Sequence, residues 1–437
     1  MELDLAAVAS ATNGTCFGPQ VQVKGVSIDS RTIQPGQLFV PISADRDGHD
    51  FIPSALANGA CAYLTALSPG EGSGVVVGDT AEALLDLGHF AHSQLDVTAT
   101  IAITGSVGKT SVKDLTAAAL RPSLDVHATP GSFNNELGLP LTLLNAPADT
   151  DVLVLEMGAR GLGQITRLTE IAPPTIGIVT AVVMAHTELF GSIDEVAQGK
   201  GELIAAVPGT GTAILNADDQ RVMAMAGLTD ATVVTYGFRD ADVTVEDAKL
   251  GSDLCPSFTL RTPSGSTKVR LNIAGMHNAS NAAAATAAAL AAGANLDSIA
   301  VGLEQAQLSP SRMAVSHQDS GAVVIDDAYN ANPTSMRAAL DALSALPHAN
   351  KVAVVGLMAE LGEERELAHR QIVAYAQQRD IRLIAVGTDL YGLDAVDSWQ
   401  EAAAALGDLG AHDAVLVKGS LVAGLRSLSH HLTVDKS

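Results

Sequence analysis

ATIAITGSVGKTSVKDLTAAAL, residues 99–120, runs from an unbroken apolar strand through a glycine turn into a helix. That order is the context a phosphate-binding loop requires. Glycines let backbone N–H groups approach phosphate oxygens, and the helix presents its positive end to the anion. The loop comprises Gly105, Ser106, Val107, Gly108, Lys109, Thr110 and Ser111. Lys109 would neutralise the outer phosphates of a nucleotide, and the Thr110 hydroxyl would bind Mg²⁺. The general pattern places a further glycine five positions before Gly108, where this chain has Ile103. The loop is therefore a variant, and a plain strand-turn-helix corner is the competing reading.

Working outward, apolar strands recur at Asp151-VLVLEMG, Ile176-GIVTAV and Thr212-AILNADD, separated by helix-length segments. Strands alternating with helices imply a parallel, doubly wound sheet. Between 230 and 273 the pattern changes. ATVVTYGF, DVTVEDAKL, SFTLRT and STKVRLNI alternate as antiparallel strands do, with Pro263-Ser264-Gly265-Ser266 as a hairpin turn. An alanine-rich helix is expected from Asn278 to about Ala292. Beyond the linker Leu308-Ser309-Pro310-Ser311, strands at Ala322, Lys351, Arg382 and Ala414 form a second α/β unit. The first 97 residues make a small α/β unit of their own. The reading is a three-domain α/β protein: 1–97, a central parallel-sheet P-loop domain at 98–308 with an antiparallel subregion, and a Rossmann-like domain at 309–437. Three domains suit 437 residues, since single cores stop growing well below that length.

Composition narrows the function classes. A formal charge of -23 disfavours nucleic acid as a partner, because such binding depends on basic residues meeting phosphates. Any anionic substrate must be held by a local positive site against the protein's own field. No apolar run reaches the length of a membrane span, and MELDLAAVAS has neither the basic start nor the apolar stretch of a secretory signal. Cys16, Cys61 and Cys255 are few and widely spaced, as in a reducing compartment. A cytoplasmic monomer without membrane insertion is expected.

Further candidates stand at strand ends. Glu156 closes an apolar strand, where a carboxylate faces the ligand crevice and could hold Mg²⁺; a solvated or capping carboxylate is the alternative. His186 follows the next strand and could ligate metal or orient a carboxylate, or be an ordinary loop residue. Lys200 falls in the helical stretch EVAQGKGELI, where a solvated surface lysine is the default. Gly131-Ser132-Phe133-Asn134-Asn135-Glu136 offers paired amides to a ligand or to a helix start. Asp326-Asp327-Ala328-Tyr329-Asn330-Ala331-Asn332-Pro333 places carboxylates and amides at a strand edge in the second α/β unit. Two such edges imply a cleft between domains.

Taken in order, ITGSVGKTSVK, GSFNNELGLPLTLL, EMGARGLGQI, AHTELFGS with a downstream KGEL, NADD, GMHNASNAAAA and DDAYNANPTSMRAAL resemble the Mur ligases of peptidoglycan synthesis. VSIDSRTIQPGQLFVPISADRDGHDFIPSALANGA is similar to their UDP-substrate domain, so the resemblance spans nearly the whole chain. It implies an ATP-dependent amide ligase that uses ATP and Mg²⁺. The implied substrates are a UDP-muramoyl-peptide and D-Ala-D-Ala, joined through an acyl phosphate. It implies that Lys200 is the lysine that becomes carbamylated and joins the metal set Thr110, Glu156 and His186. Asn281 matches a position that contacts adenine, and Arg312 and Asp327 match positions near the nucleotide. Ser30 and Arg31 match the uridine segment, and Asn134, Asn135, Asn330 and Asn332 match substrate contacts. The catalytic group implied is Lys109, Glu156, His186 and Lys200. Three positions depart from the pattern: Ser311 replaces a glycine, Leu357 an aspartate and Leu421 an arginine. They leave open a Mur-type ligase with another amine, or a nucleotide-binding module without catalysis.

Overall fold

The structure, a computed structural model, describes residues 1–184 and 187–433; His186 lies outside the described residues. Among those residues the central sheet has nine strands. Its heart is the buried strand Ala99–Thr104, flanked in parallel by Val152–Glu156 and Ile176–Val179. Ile101, Ile103, Val152, Val154 and Ile178 are fully buried, each contributing about 1.5–3 kcal/mol by leaving water. From Ala99–Thr104 the chain crosses through helix Lys109–Leu120 to the far edge at Val126–Ala128, fills in Val152–Glu156, then moves to the other side at Ile176–Val179. The loop after Ala99–Thr104 thus lies where the strand order reverses, the position at which such sheets bind ligands.

Thr232–Gly237 corrects one expectation. It pairs in parallel with both Thr212–Asn216 and Val243–Leu250. The helical turns Gln220–Met223 and Ala224–Leu228 form a crossover connection, and a crossover brings a strand back in the same direction whatever its residue alternation. The antiparallel part begins at Val243–Leu250 and continues through Pro256–Thr262 to Gly265–Arg270, joined by the expected hairpin. These strands extend the central sheet itself.

Helix His277–Ala291 is almost entirely alanine on its buried side and packs against helix Lys109–Leu120 and the sheet. Small side chains allow the close approach. At Gly302, in helix Leu296–Glu304, an added Cβ would stand 2.1 Å from the Ala118 carbonyl oxygen, so only glycine fits.

The N-terminal sheet runs Thr15–Phe17, Gly74–Val76, Ala62–Thr65, Leu38–Phe39, Val26–Ser27. Its core is continuous with the central unit: Leu5, Leu38 and Leu64 belong to the same apolar cluster as Leu139, Leu153 and Leu168. Asn145 adds a two-way backbone bridge to Val26, accepting from its N–H at 3.1 Å and donating to its carbonyl at 2.9 Å. The C-terminal sheet runs Ala314–His317, Val323–Asp327, Asp413–Lys418, Asn350–Val355, Arg382–Ala385, parallel except for the first pair. Its core is one cluster that also takes in Leu254 and Ala274 of the central unit, and a second one confined to the C-terminal residues.

Candidate active site

Ile103 explains the variant loop. It sits inside the sheet, in register with Glu156 on one side and Ile178 on the other, so the missing glycine belongs to strand, not loop. The close-approach role falls to Gly105, with φ +142°, where a Cβ would lie 2.0 Å from Thr180 Oγ1. Gly108 caps the helix in the left-handed conformation. The first-turn amides of that helix have no preceding carbonyl to bond, which leaves them for an anion.

A cavity of about 820 Å³ opens above this loop and reaches the C-terminal unit. It brings together Ser106, Val107, Gly108, Lys109, Thr110 and Ser111 with Asn134, Asn135 and Glu156. Asn281, Arg312, Asp327, Asn330 and Asn332 close the other side. Gly105 and Lys200 support this cavity without lining it, and Ser30 and Arg31 stand apart from it. Arg31 is exposed and held by Asp29 at 2.9 and 2.7 Å.

Thr110 is the hub. Its hydroxyl donates to Glu156 Oε2 at 2.6 Å and accepts from Arg312 Nη2 at 2.8 Å. Asn134 Nδ2 donates to Glu156 Oε1 at 2.6 Å. Glu156 is buried, and its two oxygens are thereby fixed in orientation. Arg312 also donates to Ser132 Oγ at 3.2 Å and stacks on Tyr329 with its guanidinium 4.3 Å from the ring centre. Its Nε is buried and has no partner among the described residues. Lys109 donates to the Gly105 carbonyl at 2.7 Å. Desolvation holds its pKa below the ordinary lysine value; Glu156 opposes this and Arg312 reinforces it.

Several amides already have local work. Asn135 Oδ1 accepts from Gly138 N at 2.9 Å, and Asn332 caps helix Pro333–Ala345 through a reciprocal pair with Ser335. Asn281 donates to Asn278 and sits over Gly108, where a Cβ would lie 3.0 Å from its oxygen.

Lys200 is not the solvated lysine that its helix pattern suggests: it is 1% exposed. Gly199 and Gly201 on either side let Phe190 and Leu228 close in, since Cβ atoms there would stand 2.6 and 2.8 Å from those side chains. The ammonium has the Ala159 carbonyl at 3.2 Å and the Phe190 ring centre at 5.4 Å. Burial, reinforced by the charge of Lys109, pushes its pKa down to about 7.

Three participants escaped the sequence reading. Thr129 Oγ1 accepts from Glu156 N at 3.0 Å, and Ser132 joins Thr110 to Arg312. Lys418, at the end of VLVKGS, is buried and bonds Asp327 Oδ2 at 2.5 Å and the Asn330 carbonyl at 2.8 Å. Its place at a strand's C-terminal edge was the available signal. Removing one partner of a buried ion pair strands the other, so Lys418→Ala should destabilise the protein by about 3–5 kcal/mol, read as a lower urea midpoint.

Three family models match successive parts of the chain: Mur ligase family, catalytic domain over 22–86; Mur ligase middle domain over 103–289; and Mur ligase, glutamate ligase domain over 311–421. UDP-N-acetylmuramoyl-tripeptide--D-alanyl-D-alanine ligase of Mycobacterium tuberculosis (strain CDC 1551 / Oshkosh) is 40% identical, covering 100% of this chain and 98% of that protein. The chain belongs to the Mur ligase family. Solved Mur ligases superpose along its length. MurF from Acinetobacter baumannii gives a TM-score of 0.90 at 31% identity, covering 99% of both chains. MurF ligase from Thermotoga maritima in complex with ADP gives 0.83 at 26% identity, covering 93% of this chain and 96% of the other. Among the three departures from the Mur ligase pattern, Ser311 stands in left-handed backbone, φ +58°, the region that favours glycine. Leu421 is 54% exposed beside Ser420, whose hydroxyl donates to Asn330 Oδ1 at 3.3 Å.

Proposed function

We propose that this Mur ligase adds D-alanyl-D-alanine to a UDP-N-acetylmuramoyl-tripeptide at the cost of ATP. The observation that carries the reading is the Thr110–Glu156–Asn134 cluster at the phosphate loop, reached by Arg312 from across the cleft. A carboxylate is a poor electrophile. Transfer of the outer phosphoryl group of ATP to the tripeptide's terminal carboxylate gives it a leaving group. The amine of the dipeptide then attacks the carbonyl carbon, the tetrahedral adduct collapses, and phosphate departs with the C–O bond. Lys109, the first-turn amides and Arg312 offset the charge gathering on the transferred group. Asn281 holds the base, Asp327 the nucleotide from the C-terminal side, and Asn134, Asn135, Asn330 and Asn332 the reacting ends. Ser30 and Arg31 hold the uridine end.

Among the described residues no group of three or more His, Cys, Asp or Glu gathers as a metal cage. Thr110 and Glu156 do present buried hard oxygens beside the phosphate loop, which fits Mg²⁺, an ion that takes one or two carboxylates and completes its shell with phosphate oxygens and water. Bound there, it would neutralise phosphate charge. His186 would add to that set, and carbamylation would convert the Lys200 amine into an anionic oxygen ligand. The uncharged amine is the form that takes up CO₂, and burial favours that form.

We divide the working parts at 1–97, 98–308 and 309–437, and place the protein in the cytoplasm as a monomer, where ATP is made. Among the described residues no helix is long and apolar enough to cross a membrane. Purified protein should release phosphate only when ATP, the UDP-muramoyl-tripeptide and D-Ala-D-Ala are all present. Release with a single amino acid but not with the dipeptide overturns the amine assignment, and the exposed Leu421 makes that end of the site the place to look.

A further inference from the structure

Two charged neighbours behind the phosphate loop, Lys113 and Asp114, have no part in the chemistry above and do not line the cleft. Lys113 is 2% exposed, yet every visible partner of its ammonium is structural: the Thr129 carbonyl at 2.7 Å, the Gly131 carbonyl at 3.0 Å and Asp114 Oδ1 at 2.8 Å. Asp114 Oδ2 accepts the backbone N–H of Ser309 at 2.7 Å, across the junction to the C-terminal unit.

Ser309 lies in the linker that leads into Arg312. That linker holds two non-glycine residues in left-handed backbone, Ser311 at φ +58° and Met313 at φ +54°, on either side of Arg312. Left-handed backbone is unfavourable for residues with a side chain and persists only where the surroundings hold it. The segment is held at both ends: Ser309 by Asp114, and Met313 N by Asp327 Oδ1 at 3.2 Å. The receiving side is set by the same pair, because Lys113 grips residues 129 and 131, next to Ser132, which Arg312 bonds.

We propose that Lys113 and Asp114 are a positioning pair that fastens the interdomain linker to the phosphate-loop helix, so that Arg312 reaches Thr110 and Ser132 only while the linker is anchored. The proposal rests on the cleft being an ATP site. Release of the anchor lets the left-handed turn relax, and Arg312 leaves the nucleotide. Asp114→Ala should therefore raise KM for ATP about tenfold, the equivalent of about 1.4 kcal/mol, and lower kcat. An Arg312→Ala variant should be impaired already, and adding Asp114→Ala to it should change KM for ATP by less than about twofold, because interacting residues are not additive. Asp114→Asn, isosteric and uncharged, gives the same signature at smaller size and serves where the alanine variant is insoluble. An unchanged KM in Asp114→Ala overturns the proposal, as does a full effect that survives in the Arg312→Ala background. Lys109→Ala separates the two readings. If it retains ATP-dependent turnover, the ATP site itself is wrong; if it loses turnover while Asp114→Ala keeps a wild-type KM, only the positioning pair is wrong.

Discussion

Lys109→Ala lowers kcat for ATP-dependent phosphate release by about 10³-fold or more while leaving the fold intact. Phosphoryl transfer is catalysed almost wholly by positioning and charge, and loss of a preorganised group aimed at the developing charge costs about 10²–10³-fold or more. Lys109 stands at the loop itself, tethered to the Gly105 carbonyl. Its depressed pKa means that desolvation opposes its charge, with Glu156 offsetting part of that and Arg312 adding repulsion, so alanine there removes a costly burial. Circular dichroism should stay at its wild-type value and the thermal midpoint at or above it. Turnover within about tenfold of wild type would place the phosphate elsewhere, because a tenfold change is about 1.4 kcal/mol, too little for this role.

Lys200→Met separates stability from activity more sharply still. Activity falls by about 10²-fold or more if Lys200 becomes a metal-binding carbamate, since its loss removes an anion from beside the transferred phosphate. Stability moves the other way. In CO₂-depleted buffer the buried ammonium has one carbonyl partner among the described residues, and its folded pKa of about 7 lies below the usual lysine value of 10.5. The unfolded chain therefore holds a proton that the folded chain gives up between those two pH values. Stability rises with pH across that window, and the full penalty stands below pH 7. Methionine has similar volume and no charge, so Lys200→Met should raise the thermal midpoint most below pH 7, with the gain shrinking as pH climbs towards 10. A midpoint that falls at pH 6 would show that the lysine is well satisfied where it lies.

The phosphate loop was legible because its signal is local. Strand, glycines, lysine and helix occupy one stretch, and each residue's reason can be stated within a few positions of it. Ile103 shows the limit of even that reading. As a mismatch to a pattern it weakened the case, but in the sheet it belongs to the strand between Glu156 and Ile178 and costs the loop nothing. Thr232–Gly237 shows another limit, because alternation of side chains records which face is wet and not which direction a neighbour runs.

Lys200 and Lys418 mark what no local pattern carries. The helix pattern makes Lys200 a solvated lysine, whatever role the family resemblance implies for it, and nothing local marks Lys418 as buried, yet both are 1% exposed in the fold. Their burial depends on groups outside their own stretch: Ala159 and, ten residues before the lysine, Phe190 for the first, Asp327 and Asn330 for the second. Desolvation is a sum over all neighbours, and neighbours are a property of the assembled core. The sequence alone determined the order of strands and helices, the loop and a net charge that disfavours nucleic acid, because these follow from short-range backbone preference and composition. Only the tertiary structure decided that Arg312 meets Thr110 over a separation of 202 residues, and that a lysine on a helix stands without water. Those outcomes depend on packing between units, which has no signature in any one stretch.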